Sequence, residues 1–322
     1  MRNQIATNTL LAPSAPDLKP DKPVRILGVP LAFGASMAGV DMGPAALRVA
    51  RLHERISELG YEVGDGGDLR VGRPKSRPKP DDKLKYLNEI GTACEQLAKE
   101  VQQILSAGEL PIILGGDHAI AIGSIAGAAA YCRSKKETLG LIWFDAHADM
   151  NTPETTPSGN IHGMPLSALL GYGAPELTNV AGFAPKLDPT LCAHVGAREI
   201  DRGERELIRQ LGIRFFTMRE IDERGMSACM DEAIAIASKG SAGYAVTFDV
   251  DALDPRDAPG SGTLVRGGLT YRESHLAMEK IAEAGRMLSL EVVEINTALD
   301  VNNKTAELGV EMILSALGKT IL

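Results

Sequence analysis

Three short stretches of the chain set metal-ligating residue types at close spacing: Gly115-Gly-Asp-His118, Asp145-Ala-His-Ala-Asp149 and Asp249-Val-Asp251. In an extended backbone, residues two apart point the same way, so Asp145, His147 and Asp149 can converge, as can Asp249 and Asp251. Taken singly, an Asp-x-Asp is more often a solvated turn or cap, and a histidine after Gly-Gly-Asp is equally a hydrogen-bonded core residue. The combination is harder to explain that way. Four carboxylates gathered at one place repel one another and raise each other's pKa unless positive charge compensates, and no Lys or Arg lies within the three motifs. Two divalent cations would balance four aspartates, with two neutral imidazoles completing the coordination. Oxygen-rich ligation with some imidazole and no thiolate suits Mn²⁺ first, with Mg²⁺, Fe²⁺ or Co²⁺ as further options. A pair of ions about 3.5 Å apart would hold a bridging hydroxide at neutral pH. The reaction class implied is metal-assisted hydrolysis.

Such motifs must be positioned by regular elements, and the chain supplies them. Apolar runs over Val24–Val29, Leu110–Leu114, Leu139–Phe144, Leu191–Val195, Arg214–Phe216, Tyr244–Phe248 and Leu290–Ile295 read as strands. Helical patterns lie between most of them, including Gly43–Leu59 and the amphipathic stretch Leu84–Leu105. Residues 65–82, rich in Gly, Pro, Lys and Asp, read as a long surface loop. Strands that are apolar throughout and alternate with helices predict an α/β fold, a parallel sheet covered on both faces. In such sheets a ligand site lies beyond the carboxyl ends of the strands. Each of the three motifs directly follows a predicted strand.

Composition narrows the field further. The chain has 322 residues, enough for about two average domains or one large α/β domain. The lack of an internal repeat or low-complexity linker favours one domain over 23–322, behind a polar, Pro-containing tail at 1–22. With 34 basic and 42 acidic side chains the net charge is −8, a poor match to a phosphate backbone, so no nucleic-acid partner is expected. Cys94, Cys132, Cys192 and Cys229 form no Cys-x-x-Cys pair and are expected reduced in the interior. No run of about 18 apolar residues predicts a membrane span, and the N-terminal stretch lacks the apolar core of a secretory signal. A cytoplasmic location is the expectation. A dinucleotide site would need Gly-x-Gly-x-x-Gly after the first strand; Pro30-Leu-Ala-Phe-Gly34 stands there instead.

The metal motifs, the last extended to Phe248-Asp-Val-Asp-Ala-Leu-Asp-Pro255, also resemble the signatures of the ureohydrolases. Asn151-Thr-Pro-Glu-Thr-Thr-Pro-Ser158-Gly-Asn160-Ile-His162-Gly-Met-Pro165 is similar to the arginase branch of that family. So are Gly39-Val-Asp-Met-Gly-Pro44, Gly267-Gly-Leu-Thr-Tyr-Arg-Glu273 and the strand end Glu294-Ile-Asn296. The resemblance spans residues 24–322 in order and looks more bacterial than vertebrate. It implies a three-layer α/β/α fold with a parallel sheet of about eight strands, two Mn²⁺ ions per subunit, and hydrolysis of L-arginine to L-ornithine and urea. It further implies homotrimers or homohexamers. Carried over by motif, His118 would ligate one ion and His147 the other, Asp145 and Asp249 would bridge, and Asp149 and Asp251 would complete the two shells.

The remaining roles follow from chemical need set against the same resemblance. Guanidinium is resonance-stabilised, so it must be held in line with the nucleophile. Glu294, at the end of an apolar strand, fits a carboxylate that grips it through paired hydrogen bonds. His162 could shuttle a proton to the leaving amine, and Asp149 could do so as well. An α-carboxylate needs donors, which Asn151, Ser158 and Asn160 offer. Asp201 matches the family's acceptor for the α-ammonium, and Thr263 is retained beside the metal motif, although Leu264 stands where relatives often carry proline. Agmatine lacks the carboxylate and would leave the donor loop unused, so arginine is the preferred substrate. The alternatives are another guanidino hydrolase, such as an agmatinase or guanidinobutyrase, or a catalytically silent regulatory subunit.

Overall fold

Eight strands, β1 (Val24–Val29), β2 (Val63–Asp68), β3 (Leu110–Gly115), β4 (Gly140–Phe144), β5 (Cys192–Ala197), β6 (Arg214–Thr217), β7 (Tyr244–Asp249) and β8 (Met287–Val293), form one sheet. Every pairing is parallel, in the order β2-β1-β3-β8-β7-β4-β5-β6. The structure is a computed structural model that describes residues 22–74 and 76–320. Apart from Lys22, the tail expected at 1–22 lies outside the described residues.

Side-chain alternation along the strands divides the core in two. Ile112, Leu114, Ile142, Phe144, Val246 and Phe248 face one layer, made by α1 (Gly43–Val49), α2 (Leu52–Glu58), α8 (Met218–Arg224), α9 (Met226–Ser238), α10 (Tyr271–Ala284) and α11 (Lys304–Ala316). Ile113, Leu141, Trp143 and Ala245 face the other, made by α3 (Leu87–Ser106), α4 (Ala121–Ser134), α5 (Pro165–Leu169), α6 (Pro175–Thr178) and α7 (Arg202–Leu211). The expected three-layer α/β/α arrangement is present. All four cysteines are free and buried. Among the described residues no helix is long and apolar enough to cross a membrane.

Two local expectations are corrected. The stretch predicted as one helix over Gly43–Leu59 is broken at Arg51, which adopts a left-handed φ of 63° between α1 and α2. Residues 63–68, partly assigned to a surface loop, form the edge strand β2. Its sequence, Val-Gly-Asp-Gly-Gly-Asp, has almost nothing to bury. Arg48 of α1 pins it instead, donating from Nε to Asp65 Oδ2 (2.7 Å), from Nη2 to Asp65 Oδ1 (3.0 Å) and from Nη1 to Asp68 (2.6 Å).

Candidate active site and metal centre

Strands β3, β8, β7 and β4 are consecutive in the sheet, and their carboxyl ends deliver the functional side chains to one rim. His118 follows β3, Glu294 follows β8, Asp249 and Asp251 close β7, and Asp145 to Asp149 follow β4. The glycines of the first motif have a steric cause. A Cβ on Gly116 would lie 1.8 Å from the Leu31 carbonyl oxygen, and one on Gly115 would lie 2.5 Å from Val293 Cγ1. The backbone must pass this close to the segment after β1 and to β8 for His118 to reach the rim. Gly116→Ala is therefore expected to destabilise the fold by about 1–3 kcal/mol as overpacking does, read as a lowered denaturation midpoint. An unchanged midpoint would contradict the close packing. At this rim Asp149 (φ 53°) and Glu294 (φ 63°) hold left-handed conformations that non-glycine residues seldom adopt.

Two acid–histidine clusters share one carboxylate. His118 Nδ1 lies 3.0 Å from Asp145 Oδ2, 3.1 Å from Asp149 Oδ2 and 3.2 Å from Asp249 Oδ2. His147 Nδ1 lies 3.4 Å from Asp145 Oδ1 and 3.0 Å from Asp251 Oδ2. Asp145 thus presents one oxygen to each histidine. The groups His118, Asp145, Asp249 and Asp145, His147, Asp251 could each hold an ion, their donor atoms lying within 4.8 Å of one another. An octahedral ion with bonds of about 2.1 Å sets neighbouring donors about 3.0 Å apart, close to the spacing observed. His118 Nδ1 and Asp149 Oδ2 are buried and have no hydrogen-bond partner despite standing side by side, as donor atoms aimed at a common cation would. The donor set fits two hard or borderline divalent ions.

Electrostatics points the same way. Burial, then Asp145, pushes the Asp149 carboxyl up to about 6. Burial, then Asp251 and Asp145, pushes Asp249 well above the usual carboxylate range. Burial would raise Asp145 too, but His118 and His147 hold it well below that range. Burial opposes charge on His147, yet Asp251 and Asp145 carry its imidazole up to about 12. The carboxylates draw a proton onto any available base, and a divalent cation would satisfy the same demand without one.

Above the clusters opens a cavity of about 180 Å³ whose walls include His118, His147, Asp149, Asn151, Ser158, Asn160, His162, Asp201 and Thr263. Asp145 and Asp251 lie beneath it, fully buried. Asn151 Nδ2 donates to Asp201 Oδ2 (3.0 Å), joining one proposed donor to the proposed acceptor. His162 Nδ1 meets Glu294 Oε1 at 2.9 Å, and the His118 backbone N–H donates to the same oxygen at 2.9 Å. Burial works against an imidazolium at His162, but Glu294, followed by Asp117 and Asp149, carries it up to about 9. Glu294 is itself 1% exposed and sits behind His162 rather than in the cavity wall. Both of these contacts fall on Oε1, so a grip using both oxygens at once would compete with them. Thr263 Oγ1 donates to Asp251 Oδ2 (2.8 Å), which gives it a part in orienting that carboxylate.

Sequence reasoning missed several supporting residues. Arg198 donates to the carbonyl oxygens of Gly196, Asp251, Ala252, Leu253 and Val265, and so ties the metal-motif turn to the loop bearing Thr263. Glu204 accepts from the Met150 and Asp201 backbone N–H groups and locks the Asp149 segment to the start of α7. Thr247 Oγ1 lies 2.8 Å from His118 Nε2, with the buried Glu291 as its neighbour across the β7–β8 pairing. No local motif marks these contacts, although Glu204 follows Asp201 at capping-box spacing.

A parallel α/β/α sheet whose rim gathers two acid–histidine clusters around a shared carboxylate defines a class of metal-dependent hydrolases. The arginase family model matches residues 22–318. Arginase from Bacillus caldovelox is 47% identical over 302 residues, covering 94% of this chain and 100% of that protein. Arginase from Bacillus cereus superposes with a TM-score of 0.88 at 47% identity, over 94% of this chain and 100% of that one. Entamoeba histolytica arginase, solved with L-ornithine, gives a TM-score of 0.85 at 30% identity, over 92% and 99% of the two chains. The chain belongs to the arginase family.

Proposed function

We propose that this chain hydrolyses L-arginine to L-ornithine and urea at a pair of Mn²⁺ ions. The observation that carries the proposal is the shared Asp145, whose two oxygens face His118 and His147 at the floor of a cavity rimmed by Asn151, Ser158, Asn160 and Asp201. His118, Asp145, Asp149 and Asp249 would hold one ion, and His147, Asp145, Asp249 and Asp251 the other. When bound, the ions lower the pKa of water so that hydroxide is available near neutral pH. The carboxylate-rich, thiolate-free donor set supports manganese over softer metals.

The chain's own residues do the rest. Asp201 accepts from the α-ammonium, while Asn151, Ser158 and Asn160 donate to the α-carboxylate; together they fix the far end of the substrate so that its guanidinium is directed toward the ions. Glu294 keeps Oε1 on His162, and a grip on the guanidinium through Oε2 would require the substrate to reach past the His162 ring. That carboxylate anchors the His162 ring through Nδ1, which leaves Nε2 as the nitrogen that delivers a proton to the departing amine. Family membership and the named relatives support arginine over agmatine. The same reading includes one catalytic domain over 23–322, a cytoplasmic location and assembly into homotrimers or homohexamers. Urea release measured side by side from arginine and agmatine tests it. Strong preference for arginine is expected, and preference for agmatine would overturn the substrate assignment.

A further inference from the structure

The long segment between β2 and α3 carries no chemistry by its sequence, yet its end is clamped against the proposed carboxylate-binding loop. The Lys85 backbone N–H donates to the Gly159 carbonyl oxygen at 3.0 Å, and Lys83 Nζ donates to the Thr156 carbonyl oxygen at 2.9 Å. Gly159 has φ 76°, and a Cβ there would stand 1.9 Å from the Asp82 carbonyl oxygen, so the two loops touch along their backbones. Phe33 packs on Tyr86 with ring centroids 5.4 Å apart and braces the segment from behind.

Lys85 Nζ then reaches Asn160 Oδ1 at 3.4 Å. An ammonium can only donate, so this contact fixes which end of the Asn160 amide is oxygen. The amide nitrogen is turned away from the lysine, and one of its protons goes to Ser36 Oγ at 2.6 Å. Asn160 lines the cavity. Lys85 thus puts a positive charge behind Asn160, while the carboxylates of Asp201 and Glu199 line the same cavity. An α-amino acid head group carries one charge of each sign. Its carboxylate matches the charge of Lys85 and its ammonium matches the carboxylates of Asp201 and Glu199.

We propose that Lys85 is a specificity-determining residue, supplying the positive charge that makes this cavity select substrates with an α-carboxylate over their decarboxylated counterparts. It acts through Asn160, whose amide it orients, and through its charge across the short, partly buried gap behind that amide. The inference rests on the proposed arginine substrate but is read separately, by binding. L-Ornithine and 1,4-diaminobutane differ only by the carboxylate, and calorimetry on the metal-loaded protein measures both without turnover. Lys85→Met is expected to weaken ornithine roughly ten-fold, the loss typical of a charge-assisted contact, while diaminobutane changes by less than about two-fold. The KM for arginine should rise in parallel while kcat moves far less. Lys85→Arg should restore most of the discrimination. Lys83→Met, which removes only a loop clamp, should shift both ligands alike or neither.

Equal weakening of the two ligands in Lys85→Met, or no change in their ratio, would overturn the assignment and leave Lys85 as a loop clamp. Should the methionine variant not fold, Lys85→Gln reads the same ratio. A wild-type protein that releases no urea from arginine would defeat the proposed function, whereas discrimination between ornithine and diaminobutane would still report on Lys85.

Discussion

Asp145→Asn is expected to empty both metal positions together and to lower urea release at least roughly 100-fold, since even outer partners of metal ligands cost 10–100-fold when removed. The substitution keeps the shape of the side chain but turns one of its oxygens into a nitrogen that cannot donate an electron pair. Oδ2 stands 3.0 Å from His118 Nδ1 and Oδ1 stands 3.4 Å from His147 Nδ1, so whichever position receives the amide nitrogen, one cluster loses a donor and both lose charge. Asp251→Asn differs in kind. Asp251 approaches His147 and not His118, so one ion should be lost preferentially. Metal analysis after dialysis, run beside a urea assay, separates the two patterns. Full occupancy of both positions in Asp145→Asn with undiminished turnover would refute the shared-ligand geometry.

His162→Asn should lower kcat by about 10²–10⁴-fold, the usual contribution of a positioned acid or base, with metal content unchanged and KM little altered. The reason is positional. Glu294 holds Nδ1 at 2.9 Å, so the ring is oriented against the cavity before substrate arrives. Asparagine can keep a hydrogen bond to Glu294 but cannot carry a proton through to the far side. A kcat loss of less than about ten-fold would transfer proton delivery to Asp149.

The physics explains how much of this was legible in the sequence. Metal ligation demands particular side chains at spacings that one strand end can present, so His118, Asp145, His147, Asp149, Asp249 and Asp251 announce themselves in three short motifs. Buried parallel strands must be apolar on both faces, which made seven of the eight readable within a few residues. The exception, β2, sits at the sheet edge and is held by the Arg48 ion pairs rather than by burial. Nothing at Arg51 marks a helix break, because neither Gly nor Pro is there. Arg198 and Lys85 were invisible for another reason. Each acts on backbone or amide groups supplied by distant segments, and a long-range contact to a carbonyl leaves no pattern in composition or period. Glu294 was placed correctly at its strand end, but its burial behind His162 depends on β3 and β8 lying side by side.

Stepwise loading of the metal-free protein with Mn²⁺, with urea release from arginine followed at each addition, tests the central claim most directly. The binuclear reading requires activity to saturate at two ions per chain and to vanish with full removal of metal. Saturation at a single ion, or undiminished urea release from metal-free protein, would contradict it.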